Sequence, residues 1–305
     1  MTSERATAAA CAAAIALSAL LGAIAPSPAW TTARAAPEGR PVRIVSLALP
    51  ADEVLLALVE DRRRIVALEE FADDPRASNV VDEARAIPLR VPLEAEAILA
   101  LEPDLVILPP WSDTTTEGLL AVEGVPVHRA GSPSSLDDVR AQIRALAAVV
   151  GERSRGEALV RAMDARLAAV GERARTHRTR PGVLLWSWSG YSPAAGTLFS
   201  DVLAVAGGRD AAGELGHTGF APLTIEGLLA MDPEAIVLER YRADGRAREV
   251  VPAPRFEDDP RFASMRAVRG RRVLPIPSAH LVTTSHHVAA LAEDLEQALR
   301  EDGLR

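Results

Sequence analysis

Flat rings and guanidinium groups recur directly behind short apolar runs in this sequence. Trp111 follows the run 105–108, Trp188 and Tyr191 follow 183–186, Arg240, Tyr241 and Arg242 follow 235–238, and His280 follows 272–276. Only 4% of the residues are aromatic, so their gathering at such places carries information. Broad rings suit a bulky, partly apolar ligand, and arginine pairs with carboxylates or other anionic chelating groups. Each ring also has a plainer reading as core packing or a loop anchor. Arg90 and Phe220, in loops, are weaker candidates for the same task.

Covalent chemistry finds less support. There is no G-x-S-x-G elbow, no H-E-x-x-H pair, no P-loop and no G-x-G-x-x-G turn. Ser187, Ser189 and Ser285 leave a Ser/His arrangement formally open, which keeps an exported hydrolase as the alternative of a different class. His128, His177 and His217 lack metal-ligand spacing, so no resident metal or intrinsic cofactor is expected. Cys11 is the single cysteine and lies in the leading apolar segment, so disulfides and thiolate catalysis are excluded from the rest of the chain.

The leading segment, residues 1–35, reads as an export signal. Arg5 gives a short basic start, Ala8 to Ala25 is an Ala/Leu/Ile run, and Ala33-Arg34-Ala35 offers an A-x-A cleavage site. As a membrane anchor the run is poor, being rich in alanine and followed by Pro26 and Pro28. The expectation is a soluble exported protein. The 305 residues are 48% hydrophobic and 25% charged, the composition of a globular chain large enough for two cores. A net charge of −8 argues against a nucleic-acid partner, since phosphate binding needs a basic face. All basic residues are arginine, a bias given no functional weight.

Apolar strand-like runs at 42–47, 65–68, 105–108 and 125–128 alternate with helical stretches, the first opening at Pro50-Ala51-Asp52-Glu53. Such alternation predicts an α/β fold with a parallel sheet. Two helices then follow without a strand between them. Leu136, Val139, Ile143, Leu146 and Val150 form one apolar stripe closed by Gly151. The second helix, from about Arg153 to Thr176, is on the order of 36 Å long and reads as a connector. Beyond Pro181 the alternation resumes at 183–186, 198–206, 235–238 and 272–276, and ends in a helix from about His286 to Arg300. The predicted organisation is therefore an N-terminal lobe over 41–151, a linker helix over 152–178 and a C-terminal lobe over 180–305.

An internal repeat ties the lobes together. Residues 92–108 match 222–238 at a constant offset of 130, with identities at Pro92/Pro222, Leu93/Leu223, Glu96/Glu226, Leu99/Leu229, Ala100/Ala230, Pro103/Pro233 and Leu108/Leu238. A shared helix, turn and strand explains the pattern and implies duplication. Parallel sheets bind ligands outside the carboxyl ends of their strands, so two Rossmann-like lobes on one connector could face a common cleft.

Four segments in order carry a family resemblance: Arg43-Ile44-Val45-Ser46-Leu47 with Pro50-Ala51-Asp52-Glu53; Leu93 to Leu108; Gly196-Thr197-Leu198-Phe199-Ser200-Asp201-Val202-Leu203 through Gly208; and Asp259-Pro260-Arg261-Phe262 to Val273. Over about Arg43 to Leu299 the chain resembles the periplasmic substrate-binding proteins of ABC importers for iron chelates, haem and cobalamin. The resemblance implies a rigid connecting helix with modest opening, and a monomer that hands its cargo to an inner-membrane permease with its ATPase. It also implies that Glu96 and Glu226 dock onto permease arginines; the plainer reading is two acids favoured by the first turn of a helix. A ferric siderophore is the favoured metal chelate, with haem or cobalamin as alternatives. Were the cargo haem, His280, His286, His287 or Tyr191 could supply an axial ligand. His286 and His287 also fit a helix-capping region.

Overall fold

The computed structural model describes residues 39–187, 190–240 and 256–301. The proposed signal segment with Cys11, and also Trp188, Ser189, Tyr241 and Arg242, lie outside the described residues. Contacts divide the chain into two compact units, here the first, holding 39–166 and 282–289, and the second, holding 167–281 and 290–301.

In the first unit β1 (Ile44–Ser46) leads into α1 (Leu49–Leu58), β2 (Ile65–Leu68), α2 (Val81–Ala84), β3 (Leu89–Arg90), α3 (Ala95–Leu99), β4 (Leu105–Leu108), α4 (Thr114–Val122), β5 (Val127–Arg129) and α5 (Leu136–Val149). The strands form a parallel sheet in the order β3-β2-β1-β4-β5. All four residues of β4 are buried, as an unbroken apolar run requires of a strand covered on both faces. Around it Val45, Leu47, Ala67, Ile98, Val106, Leu108 and Leu120 make the core. Ser135 caps α5 through the Asp138 N–H, and Gly151 takes the positive φ of 76° that ends it.

Helix α6 (Arg153–Ala174) begins in the first unit and ends in the second. There the chain makes β6 (Gly182–Trp186), β7 (Tyr191–Pro193), α7 (Leu198–Val205), β8 (Arg209–Asp210), α8 (Ala211–Glu214), β9 (Phe220–Pro222), α9 (Ile225–Met231), β10 (Ala235–Arg240), α10 (Arg266–Arg269), β11 (Val273–Pro277), α11 (Ser278–Val282) and α12 (Val288–Glu301). The main sheet is parallel in the order β8-β6-β10-β11, and β7 pairs with β9 as a small antiparallel ribbon. The expected α/β architecture of parallel sheets and a long connecting helix is present.

The 130-residue repeat survives as structure. In each copy a helix leads into a strand, α3 to β4 and α9 to β10. Between them Glu102 and its equivalent Asp232 adopt left-handed φ values of 47° and 40°. A proline follows each, which disfavours helical continuation. The next residue is a carboxylate that clamps the start of the neighbouring strand. Asp104 accepts the Val42 and Arg43 N–H groups at 2.8 Å, and Glu234 accepts the Gly182 N–H at 2.6 Å. Strand order also corresponds, with β2, β1, β4 and β5 matched by β8, β6, β10 and β11.

Segment 282–289 gives the first unit its least local feature, returning from the far end of the chain. Glu53, 1% exposed in α1, holds it. One carboxylate oxygen accepts the Asn79 N–H at 3.0 Å and the Asn79 Nδ2 at 2.8 Å. The other accepts the hydroxyls of Thr283 at 2.6 Å and Ser285 at 2.5 Å. Removing that acceptor takes the shared partner from the buried Thr283 and Ser285 hydroxyls and from two Asn79 donors. Glu53→Ala is expected to cost about 3 kcal/mol in urea unfolding, against about 1 kcal/mol for Ser285→Ala, which removes one of these donors.

Candidate functional site

In an open parallel sheet the strand order reverses at one point, and the loops leaving the carboxyl ends diverge there, opening a crevice that no helix fills. The first unit reverses between β1 and β4, the second between β6 and β10. Trp111 stands three residues beyond β4, at the first reversal, and is 43% exposed despite its size. Arg240 is the exposed last residue of β10, at the second. His280 lies in α11 just after β11, where its Nδ1 meets Asp294 Oδ2 at 2.5 Å. Tyr191 opens β7, half-buried, and Phe220 opens β9 at 44% exposure, facing Pro193 across the ribbon. Strand placement thus gathers Arg240 and His280 on the carboxyl edge of one sheet and Trp111 on that of the other.

Arg90 ends β3 and is turned to internal work. Its guanidinium donates to the carbonyls of Ala84, Ile87 and Leu89 at 3.1, 2.6 and 3.0 Å, with Asp73 at 3.5 Å.

Sequence reading passed over a buried acid pair on the same edge as Trp111. Asp52, fully buried in the first turn of α1, accepts the Glu69 N–H at 2.9 Å. Glu69 follows β2 and accepts the Phe71 N–H at 2.7 Å. Burial lifts the Asp52 carboxyl well above its ordinary range, against the opposing pull of Ser46 and the Glu69 N–H. Burial likewise pushes Glu69 up to about 7, the Phe71 N–H opposing it. Asp52 was visible in sequence only as a first-turn acid, because its partner lies in a different strand loop.

His286 is held toward its neutral form. Burial pushes it down to about 3, helped by His287 and Arg166, and its ring lies 4.2 Å from that of His287. His128, in β5, is pushed down to about 4 by burial alone. Among the described residues no group of three or more His, Cys, Asp or Glu side chains is arranged to hold a metal ion.

Glu96 and Glu226 lie away from the strand ends. Each is exposed and occupies the second position of its helix, α3 or α9, so the repeat displays the same carboxylate at the same place in both units.

Two doubly wound sheets with exposed aromatic and basic groups at their reversals define a two-unit binding protein. The chain belongs to the periplasmic binding protein family, whose model matches residues 44–279. That family is one of binding proteins, not of enzymes. Among relatives, a cobalamin-binding protein of Halobacterium salinarum is 26% identical over 219 residues, 70% of this chain; the match spans 58% of the length of that relative. Among solved structures, the periplasmic heme-binding protein RhuT of Roseiflexus sp. RS-1 is 27% identical, with a TM-score of 0.71 over 87% of this chain and 100% of that one. A periplasmic heme-binding protein of Pseudomonas aeruginosa is 25% identical, with a TM-score of 0.68 over 86% and 93%.

The raised Glu69 carboxyl has a definite sign in stability. Between the ordinary carboxyl range and about pH 7 the unfolded chain releases this proton while the folded chain keeps it, so stability falls as pH rises through that window. Glu69→Gln keeps an acceptor for Phe71 and removes the titration. It is expected to raise stability by on the order of 1–3 kcal/mol at pH 8 and to leave it unchanged near pH 4, measured by urea unfolding at both pH values.

Proposed function

We propose that this protein is the solute-binding component of an ABC importer, and that it captures a macrocyclic metal chelate, haem or a corrinoid, for delivery to a membrane permease. The family match over 44–279, with an exposed indole at the strand reversal, carries this reading. Sequence alone favoured a ferric siderophore, because no axial ligand stood out. The relatives at 25% identity or more, which are named for heme and cobalamin, move the reading toward a flat, largely apolar macrocycle. Such a ligand offers a flat face for an exposed ring such as Trp111 to cover.

An exported, periplasmic and monomeric chain, its signal in residues 1–35, fits this role. Glu96 and Glu226 would serve outside the ligand site, as matched docking carboxylates read by the two halves of a permease and its attached ATPase. Their exposure and equivalent helix positions support this.

Purified protein titrated with hemin, cyanocobalamin and ferrichrome tests the cargo, followed by Soret or corrin absorbance and tryptophan fluorescence. Hemin or cyanocobalamin is expected to bind, and Trp111→Ala to weaken that binding about tenfold. Binding of ferrichrome alone overturns the macrocycle, and binding of none overturns the cargo class. Glu96→Arg with Glu226→Arg is expected to leave binding intact and abolish uptake in cells; normal uptake removes the docking assignment.

A further inference from the structure

Trp111 is an exposed ring on a loop with little freedom. Pro109 and Pro110 fix two φ angles ahead of it. Ser112 behind it is 7% exposed, and both its N–H and its hydroxyl donate to the Pro109 carbonyl, at 3.1 and 2.9 Å. Asp113 then caps α4 by accepting the Thr116 N–H at 2.7 Å. Large apolar groups at an exposed loop tip normally fold back onto the protein, since each square ångström removed from water is favourable. This one is held out.

Arg129 supplies the hold. It is the last residue of β5, directly opposite Leu108 in the ladder with β4, so its side chain starts level with the point where the Trp111 loop begins. One terminal guanidinium nitrogen donates to the Pro110 carbonyl at 3.2 Å, the Ser112 carbonyl at 2.9 Å and the Ser112 hydroxyl at 2.8 Å. The other bonds to Glu117 of α4. The residues on both sides of Trp111 are thus tied to one planar group. With 20% of its side chain exposed and its charge met by Glu117, Arg129 is committed to the protein.

We infer that Arg129 is a positioning residue for the ligand, acting through Trp111. It fixes the indole in an outward pose before binding, so the ordering cost of that ring is met during folding rather than on capture. A lysine cannot replace it, because one ammonium on a flexible stem does not span two carbonyls, a hydroxyl and a carboxylate. The inference rests on the proposed function for its consequence, but the clamp can be read without any ligand.

The sequence has four tryptophans, so Trp30→Phe, Trp186→Phe and Trp188→Phe leave Trp111 as the sole fluorophore. In that background Arg129→Lys is expected to lower the residual time-resolved anisotropy of the indole, and Ser112→Ala, which deletes one acceptor, to lower it less. Unchanged anisotropy in both overturns the clamp. Binding is then read as a double-mutant cycle with hemin, or with cyanocobalamin where hemin does not bind. Arg129→Lys is expected to weaken binding about tenfold in the natural background and less than about twofold when Trp111 is already alanine. Equal losses in both backgrounds overturn the inference, since a direct ligand contact or general destabilisation would be additive. If Trp111→Ala itself leaves binding unchanged, the ligand reading of Trp111 fails, and the anisotropy still decides whether Arg129 fixes the ring.

Discussion

A strand hydrogen-bonded along both edges and buried on both faces strongly favours apolar side chains, and β4 and the first half of β10 are under that constraint. Chemistry is pushed to their ends. At the amino ends sit the carboxylates Asp104 and Glu234, which fasten the neighbouring strand and so set its register. At the carboxyl ends the loops diverge, and the rings and guanidinium groups there are the first side chains free to meet something other than the protein. The candidate site follows from burial of the central strands as much as from its own residues.

Strands covered on both faces were legible because their sequences are unbroken and apolar: 65–68 and 105–108 coincide with β2 and β4. The short strands β3, β7, β8 and β9 were not, since two or three residues such as Leu89-Arg90 or Arg209-Asp210 carry no period. The repeat was legible as helix, turn and strand, but its left-handed residue was not, since glutamate and aspartate do not advertise that conformation as glycine would. The closing helix, expected from about His286, begins at Val288, since Ser285 ahead of it bonds to Glu53 and to the His287 N–H.

Of the site, the sequence showed which residue types follow strands and little of what each one does. Arg90 and Arg129 look alike in sequence, each closing an apolar run. Arg90 turns back on its own loop, and Arg129 reaches across to another. That difference is one of register, fixed by which strand lies next door. Arginine's fork suits it to such work throughout the first unit. Arg43 gathers the Leu101 and Glu102 carbonyls, and Arg64 gathers those of Pro41 and Val150 together with Glu152. A compositional bias toward arginine has been put to structural use, with each guanidinium serving several acceptors at once.

The return of residues 282–289 bears on the history of the chain. Within the described residues the chain now passes between units three times: inside α6, after Leu281 and after Ala289. One unit completes its buried carboxylate with hydroxyls from the last tenth of the chain, which emerges from the ribosome when the rest is already made. The copies have become interdependent, and the final form of the first must wait for the synthesis of the second.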